Sequence, residues 1–399
     1  MSKNYSDENT KNSEIFVLQY PKGEELSFSL GQVSSIYNSL IKHRASTEGG
    51  SSGSPIISRQ NINNVIGIHF LGETNLNANY AHSMESILND IKHKYYYKIN
   101  TLTNNSKSLN NHSSYVNNII ILKDGRLCSC SSDQKIIIYN KNFEIDATIK
   151  DNANIYYHSQ LSNYDIISCC KDNTLKIYSI YGYNLIYVLR GHNMPVLKMI
   201  EVKGKIISSA WDKTIKVWEK DEGDTYICTK TMQICNYDNM RINLIRVNSY
   251  KIAVTSSEAN LISFYSIYDD FDKLGSVNNI YCNGWQNSLC MIGNNILLIG
   301  GNSNNGIYLV DCKNYSLVSC VQSNVYVQSS LKLFNDNILI GCNDENNRYS
   351  IIEYKYENNN LIKIRTKESA HHSGILGLAE IIDGTIISSS DDRNIKLWK

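Results

Sequence analysis

The 399-residue sequence predicts an all-β protein whose larger part is a ring of small repeated sheets, a β-propeller. Two observations predict this fold class. From about residue 112 onward, strand-like runs of five or six residues recur between turns rich in Gly, Asn and Ser. One motif also returns within these runs at steps close to 40 residues, and self-similarity at that period is typical of propeller arrays.

Composition and charge narrow the classes of function. A hydrophobic content of 42% is enough to build a core, and the length fits two to three domains or a repeat array with a smaller unit. The 39 Lys and Arg residues nearly balance the 38 Asp and Glu residues, which argues against a general binder of nucleic acid or of acidic membranes. No run approaches the roughly 18 apolar residues of a membrane span, and residues 1–13 lack the apolar core of a secretion signal. We therefore expect a cytoplasmic protein without nucleic-acid or membrane partners, of unspecified oligomeric state.

The first 111 residues have no repeat. Residues 1–13 are polar and predicted to be disordered. Short runs rich in β-branched and aromatic residues then predict four strands, at 15–21, 25–33, 54–58 and 64–72. Within 83–94, apolar residues at i, i+3, i+4 and i+7 predict an amphipathic helix. Residues 95–111 are expected to be a linker that contains the strand-like segment Tyr97–Thr103.

The eleven cysteines all follow residue 127. None has the C-x-x-C spacing of a zinc knuckle or a redox site. Most lie in apolar strand-like runs, where Cys behaves as a small hydrophobic residue. We expect reduced, buried thiols, no metal site and no cofactor.

The repeated motif reads Asp, two residues, Ile or Leu, one residue, an aliphatic residue, then Trp or Tyr. It occurs as DQKIIIY (133–139), DNTLKIY (172–178), DKTIKVW (212–218) and DRNIKLW (392–398). The first three copies are 39 and 40 residues apart, and the remaining 180 residues fit four units of 45. The spacing predicts seven units, of which units four to six are degenerate: 112–150, 151–190, 191–233, 234–277, 278–323, 324–369 and 370–399.

These motifs resemble the WD40-repeat family. Two units have a fuller signature, which consists of His192, the pair Ser208–Ser209, Asp212 and Trp218 in one unit, and His371, Ser388–Ser389, Asp392 and Trp398 in the other. The resemblance implies a hydrogen-bonded tetrad of His, Ser, Asp and Trp in each, bridged by Ser209 or Ser208 in the first and by Ser389 in the second. A tight turn leaves backbone amides unpaired, and the Asp carboxylate accepts from those amides and from the His. We therefore interpret His192 and His371 as structural rather than catalytic or metal-binding.

The last unit ends after its third strand, at Trp398 and Lys399. A blade without its outermost strand would leave an unpaired sheet edge and break the ring. We expect Tyr97–Thr103 to supply the missing strand beside Asn394–Trp398.

Before the repeats, residues 50–55 read Gly-Ser-Ser-Gly-Ser-Pro. The glycines allow the amides of Gly50 and Ser52 to converge on one point, as an oxyanion hole requires. Residues 14–94 resemble the second β-barrel of trypsin-like serine proteases, with a pattern similar to glutamyl endopeptidases. The matching stretches are YPKGEELSFSLGQV (20–33), STEGGSSGSPII (46–57) and VIGIHF (65–70).

That resemblance implies roles for four residues. Ser52 occupies the nucleophile position, and the amides of Gly50 and Ser52 form the oxyanion hole. Thr47 and His69 line the pocket for an acidic side chain, since a hydroxyl and an imidazole both hydrogen-bond a carboxylate. The alternatives are a turn serine at Ser52, a loop-capping Thr47 and a half-buried strand histidine at His69.

A serine nucleophile needs a base and an orienting carboxylate, which this family takes from an upstream first barrel. The first histidine of the sequence is His43, which lies within the barrel region. We therefore expect a WD40 scaffold that binds proteins or peptides at its propeller loops, fused to a partial and inactive peptidase domain. The alternative is a serine endopeptidase with acidic preference, whose propeller recruits substrates and whose His and Asp come from a missing upstream barrel. A truncated gene or a barrel of different function would also fit.

Overall fold

A computed structural model describes the backbone of six strands between residues 14 and 83, and most of residues 107–398. Within the second range it leaves out 235–241, 257–259, 269–270, 283–287, 294, 302–305, 322–324, 345 and 347. The described elements are all strands. None of the described residues forms a helix long and apolar enough to cross a bilayer. The chain divides into two compact units, residues 1–100 and 101–399.

The first unit contains a closed barrel of six antiparallel strands in the order β1-β2-β3-β6-β5-β4. The strands are β1 (Glu14–Gln19), β2 (Ser27–Tyr37), β3 (Leu40–His43), β4 (Pro55–Ser58), β5 (Asn61–Glu73) and β6 (Ala78–Ser83). The sequence predicted four of them. It missed β3 and β6, since LIKH is only four residues long and ANYAHS lacks the aliphatic alternation that marks a strand. The predicted helix at 83–94 lies almost entirely outside the described residues.

The second unit is a propeller of seven four-stranded sheets. Six blades are continuous in sequence, and their strands run from the centre outward in chain order. Blade one consists of β8 (Val116–Ile121), β9 (Leu127–Ser131), β10 (Lys135–Tyr139) and β11 (Ile145–Lys150). Blade two consists of β12 (Ile155–Gln160), β13 (Ile166–Cys170), β14 (Thr174–Tyr178) and β15 (Leu185–Arg190). Blade three consists of β16 (Val196–Val202), β17 (Lys205–Ala210), β18 (Thr214–Lys220) and β19 (Tyr226–Gln233).

Blades four to six continue the same pattern despite their degenerate motifs. Blade four consists of β20 (Ile242–Arg246), β21 (Lys251–Ser256), β22 (Leu261–Ser266) and β23 (Lys273–Asn278). Blade five consists of β24 (Leu289–Met291), β25 (Ile296–Gly300), β26 (Ile307–Asp311) and β27 (Ser316–Val321). Blade six consists of β28 (Tyr326–Lys332), β29 (Ile338–Asn343), β30 (Tyr349–Glu357) and β31 (Asn360–His371).

Blade seven is assembled from both ends of the array. Its first three strands are β32 (Ile375–Glu380), β33 (Ile386–Ser390) and β34 (Ile395–Trp398). Its outermost strand is β7 (Lys107–Leu109), which pairs antiparallel with β34 through Leu109 opposite Ile395 and Lys107 opposite Leu397. The predicted seven-bladed ring, closed by strand exchange, is confirmed.

The prediction of which segment closes the ring was wrong. The strand that pairs with β34 is Lys107–Leu109, not Tyr97–Thr103. β7 is only three residues long and lies in a polar stretch, so strand propensity did not reveal it. Its one apolar residue, Leu109, is buried in the core of blade seven, and this packing fixes the register.

The core lies between neighbouring sheets. In blade one the second strand is fully buried and the third nearly so, whereas the outermost strand β11 is mostly exposed. Cys130 and Ile136 of blade one pack against Ile155 and Ile166 of blade two in one cluster. No blade could bury its apolar faces alone, because each face is covered by the next sheet in the ring.

Buried side chains also join the blades by hydrogen bonds. Asn117 donates to the Ile155 carbonyl across 2.7 Å, which links blades one and two. Ser329 donates to the Ile375 carbonyl across 2.7 Å, which links blades six and seven. Each bond satisfies a carbonyl on the first strand of the next blade, where an unpaired buried group would be costly.

The ten cysteines among the described residues are free thiols, and eight of them are buried. Burial raises the pKa of the Cys290 thiol to about 11, and it similarly raises the pKa of Cys342 to about 12. Such thiols are unreactive at neutral pH. The described part of the chain contains no group of three or more His, Cys, Asp or Glu side chains that could hold a metal ion.

Candidate functional site: the two loop faces of the propeller

The antiparallel sheets divide the propeller loops between two faces. We call one the tetrad face; it carries the turns between the second and third strands of each blade and the connections between blades. We call the other the opposite face; it carries the turns between the first and second strands and between the third and fourth. Strands and blade connections alternate in direction, so the division holds for all seven blades.

On the tetrad face, blade three contains a continuous hydrogen-bond chain. The Trp218 indole N–H donates to Ser208 Oγ across 2.8 Å, and Ser208 Oγ lies 2.8 Å from His192 Nε2. His192 Nδ1 lies 2.8 Å from Asp212 Oδ2, which also accepts from the Asn193 amide. The indole N–H can only donate, which leaves the Ser hydroxyl hydrogen available for Nε2, and in that arrangement the imidazole donates from Nδ1 to the carboxylate.

Blade seven repeats this chain. Trp398 donates to Ser388 across 2.9 Å, and His371 lies 2.7 Å from Ser388 and 2.9 Å from Asp392. Burial lowers the pKa of His371, despite the opposing effect of the Asp392 carboxylate. Burial alone would raise the pKa of each tetrad Asp. In Asp212 the hydrogen bonds from His192, Thr214 and the Asn193 amide together outweigh burial, and the pKa falls to about 2. The arrangement is structural: the neutral His371 imidazole uses both of its ring nitrogens in hydrogen bonds, to Ser388 and to Asp392.

The bridging hydroxyl in each tetrad belongs to the first serine of the pair. Of the two candidates in blade three the bridge is therefore Ser208 and not Ser209, and the assignment of Ser389 in blade seven was wrong. Successive strand residues point to opposite faces of a sheet, and only one member of a Ser-Ser pair can face the His. Ser209 instead donates to the Ile242 carbonyl of blade four across 3.0 Å. The Ser389 hydroxyl is buried without a partner.

Blade one has the His, Ser and Asp of a third tetrad, which the sequence analysis missed. His112 Nδ1 lies 3.0 Å from Asp133, and its Nε2 lies 2.8 Å from Ser129. Tyr139 stands at the Trp position, and its hydroxyl is buried without a hydrogen-bond partner. His112 precedes Asp133 by 21 residues, the same separation as in blade seven, so this spacing was the available signal.

Each tetrad Asp also shapes its own turn. The second carboxylate oxygen of Asp212 accepts from the Thr214 amide across 3.0 Å. The residue between them, Lys213, has a φ of 68°, which is unfavourable for a side chain other than glycine. The Asp therefore holds a strained turn closed while it orients the His.

Blade two has the same positions with the charges rearranged. Each position of blade one recurs 39 residues later, so that His112, Ser129, Asp133 and Tyr139 correspond to Asp151, Ser168, Asp172 and Tyr178. The side chain of Asp151 is fully buried where blade one has its histidine. Asp151 accepts from the Tyr178 hydroxyl across 2.5 Å and from the Ala153 amide across 3.0 Å.

Lys176 supplies the compensating charge in blade two. Its ammonium group pairs with Asp151 and, across 2.8 Å, with Asp172. Burial would lower the pKa of Lys176, but these two hydrogen bonds outweigh it and the pKa is raised. Blade one has Ile137 at the equivalent position, 39 residues earlier. A carboxylate–ammonium–carboxylate chain thus replaces the imidazole as the link across the blade.

The opposite face carries most of the exposed apolar side chains that lie on described loops. Six belong to it: Tyr164, Tyr181, Tyr250, Tyr268, Phe334 and Ile382. Tyr181 is 93% exposed and Ile382 is 77% exposed. The described loops of the tetrad face carry three, Tyr115, Met194 and Tyr281. Exposed aromatic groups clustered on one face are typical of a protein-binding surface.

These aromatic loops are held in place by contacts between blades. The Lys123 ammonium lies 4.6 Å from the Tyr164 ring centroid and donates to the Leu161 carbonyl across 3.0 Å. Lys203 lies 4.1 Å from the ring centroid of Tyr268 in the next blade. The Phe334 amide donates to the Glu380 carboxylate across 2.7 Å. The Tyr164 and Tyr268 rings and the Phe334 backbone are therefore positioned before any partner binds, which reduces the entropy lost on binding.

Comparison with known proteins agrees with the geometry of the tetrads. The family model described as WD domain, G-beta repeat, matches residues 103–140, 183–219 and 363–399. Each matched segment contains one of the three histidine tetrads. These three segments match WD40 repeats and lie in a seven-bladed propeller. A second family model, the trypsin-like peptidase domain, matches residues 3–68.

The chain is also similar to a curated protein and to solved structures, two of which are described below. Protein DOA1 of Saccharomyces cerevisiae is 25% identical over 121 residues, which span 29% of this chain and 17% of that protein. The WD40 β-propeller domain of Doa1 has a TM-score of 0.59 at 18% identity, covering 73% of this chain and 95% of that one. A chain of the mitotic checkpoint complex has a TM-score of 0.63 at 14% identity, covering 75% and 95%. At these identities the structural likeness shows the fold alone.

Most of the predicted peptidase residues lie outside the described part of the chain. This applies to Thr47, Gly50 and Ser52. The backbone of His69 lies on β5, where it pairs with Ala81 of β6. The peptidase roles of all four residues therefore stay predictions.

Proposed function

We propose that this protein is a WD40 interaction scaffold that binds a protein partner through the opposite face of its propeller. The observation that carries the proposal is the set of exposed, pre-positioned aromatic loops on that face. Aromatic side chains supply most of the binding energy at protein interfaces, especially where their conformation is already fixed. The tetrad face has fewer exposed apolar groups on its described loops, and its histidines are committed to structural hydrogen bonds.

The experiment compares two loop variants of matched size. One combines Tyr164→Ser with Phe334→Ser on the opposite face, and the control combines Tyr115→Ser with Met194→Ser on the tetrad face. The tagged wild-type chain is expressed in cells of the organism it comes from and purified, and the proteins that co-purify with it are identified by quantitative mass spectrometry. The strongest candidate is then purified and titrated against each variant.

We expect the opposite-face variant to lose at least tenfold in affinity for the purified partner, and the control to bind as the wild type does. A loss of affinity in the control variant alone would show that the partner binds the tetrad face. Unchanged binding in both variants would refute a role for these loops.

We further infer that the barrel is a partial trypsin-like domain without peptidase activity in this chain. The match of the peptidase model to residues 3–68 supports the ancestry. This family takes its base from a first barrel upstream of the nucleophile barrel, and the sequence has no histidine before His43. Without a base the Ser52 hydroxyl stays protonated and is a poor nucleophile.

The alternative is an endopeptidase that cleaves after acidic residues, with Thr47 and His69 holding the substrate carboxylate. A fluorogenic peptide with Glu before the scissile bond distinguishes the two, assayed on wild type, Ser52→Ala and His69→Ala. We expect equal background rates. Turnover that disappears in Ser52→Ala would establish the endopeptidase, and a changed acidic preference in His69→Ala would then assign the pocket.

We also propose a cytoplasmic location. Ten free thiols in the described region suit a reducing compartment, because cysteines of oxidising compartments usually form disulfides. Imaging of a tagged full-length chain tests this, and accumulation in a secretory compartment would refute it.

A further inference from the structure

A cavity of about 270 Å³ lies at the centre of the propeller. The first strand of every blade contributes at least one side chain to its wall, so the cavity belongs to the ring as a whole and not to one interface. The ten lining residues are Asn118, Tyr157, Lys198, Ile200, Leu244, Ile245, Arg246, Leu289, Ser330 and Leu378. Five of them are Leu or Ile.

The lining contains two cationic residues and no acidic one. Lys198 is buried, and its ammonium group lies 5.5 Å from the centroid of the Tyr157 ring. Arg246 is exposed, and its Nε donates to the Asn248 carbonyl across 3.0 Å, which anchors the guanidinium at the edge of the cavity. The wall thus combines cationic side chains with apolar ones.

We propose that the central cavity binds a small organic monocarboxylate, with the carboxylate beside Lys198 and the apolar body against Ile200 and Ile245. A bound carboxylate offsets the positive charge of a wall that has no acidic residue. The apolar body replaces water against the partly exposed side chains of Ile200 and Ile245, which gains hydrophobic free energy. An inorganic anion has no such body and leaves this surface wet. The site is independent of the loop surface proposed for protein binding.

The groups around Lys198 determine how pH affects this site. Burial lowers the pKa of Lys198 to about 7, and Cys290 and Cys169 oppose the shift only weakly because they too are buried and protonated. Tyr157 is uncharged at neutral pH, since burial raises its pKa. Arg246, the other charged residue of the wall, stays cationic at every pH of interest.

The expected pH dependence follows from the protonation of Lys198. A carboxylate binds the ammonium form, so binding raises the pKa of this lysine above its value in the free protein. Affinity is therefore highest below pH 7 and decreases as the pH rises from 7 to 9, by up to about tenfold per unit.

The test uses the full chain and sodium octanoate, measured by isothermal titration calorimetry. Octanol serves as the uncharged probe of equal length, and inorganic phosphate serves as the anion without an apolar body. Lys198→Met keeps the length of the side chain and removes its charge. Lys171→Met, at an exposed lysine of blade two, is the matched control.

We expect octanoate to bind at least tenfold more tightly than octanol or phosphate, to bind Lys171→Met unchanged and to lose at least tenfold with Lys198→Met. Equal affinity for octanol and octanoate, tighter binding of phosphate, or unchanged binding to folded Lys198→Met would each overturn the proposal. If Lys198→Met does not fold, the proposal is tested by the pH dependence of octanoate binding to the wild type. An affinity that is constant between pH 7 and 9 would also overturn the proposal.

Discussion

The rearranged charges of blade two can be tested by converting that blade into the pattern of blade one. Lys176→Ile places the blade-one residue opposite an unchanged Asp151 and leaves a fully buried carboxylate without its cation. Removing one partner of a buried ion pair costs about 3–5 kcal/mol. Asp151 retains hydrogen bonds from Tyr178 and Ala153, so we expect the lower end, about 3 kcal/mol.

Adding Asp151→His to Lys176→Ile removes the buried charge and restores the blade-one set. The new imidazole can donate to Asp172 as His112 donates to Asp133. We therefore expect the double variant to be more stable than Lys176→Ile alone, by about 1.5–3 kcal/mol for the recovered hydrogen bond to a charged group. The single Asp151→His should be destabilising, because it sets the imidazole beside the Lys176 ammonium.

Urea unfolding of the wild type, the two single variants and the double variant gives the free energies of this cycle. Lys171→Ile, an exposed lysine of the same blade, controls for the loss of a lysine as such. Strictly additive costs, or a double variant less stable than either single one, would refute the view that Asp151 and Lys176 together replace a histidine.

Three further outcomes follow from the tetrads and their neighbours. Asp212→Ala should lower the free energy of unfolding by about 1–3 kcal/mol, because the His192 imidazole and two turn amides lose their acceptor; an unchanged melting temperature would contradict this. Tyr178→Phe should lower the free energy of unfolding by about 1.5–3 kcal/mol, since the Tyr178 hydroxyl donates to a buried carboxylate. Tyr139→Phe should leave it almost unchanged, since the Tyr139 hydroxyl has no partner. Equal losses of the two variants in urea unfolding would contradict this difference. Burial, with the nearby Asp392 charge, raises the pKa of Asp391 from 3.8 to about 6, so stability should fall as the pH rises between these values. Asp391→Asn should then melt above wild type at pH 7.5 and equal to it near pH 4, and parallel pH curves would exclude the effect.

The sequence was sufficient to predict the ring and its seven blades. Spacing carried this prediction, since Asp133, Asp172 and Asp212 recur at nearly constant steps and each repeat is one sheet. The degenerate units could be placed by length alone, because a ring with a missing sheet would leave two others uncovered.

Side-chain direction was harder to predict. Choosing between Ser208 and Ser209 needs the register of β17 against its neighbours, which a one-residue shift would reverse. The hydrogen-bond network of Asp151 was also missed. An aspartate at the histidine position suggests that the tetrad is absent, and only the structure shows that Lys176 pairs with it. The central cavity could not be predicted, since its walls come from seven strands that are far apart in sequence.

The short closing strand has a consequence for how the ring responds to mechanical force. Lys107 lies opposite Leu397, so the first residue of β7 and the end of β34 meet at one end of the same pair of strands. Tension between these two points unzips β7 from β34, so that the paired residues separate one pair at a time instead of being sheared together. With only three paired positions to separate, blade seven is the place where a pulled propeller would first open, while the six blades with continuous strands remain folded.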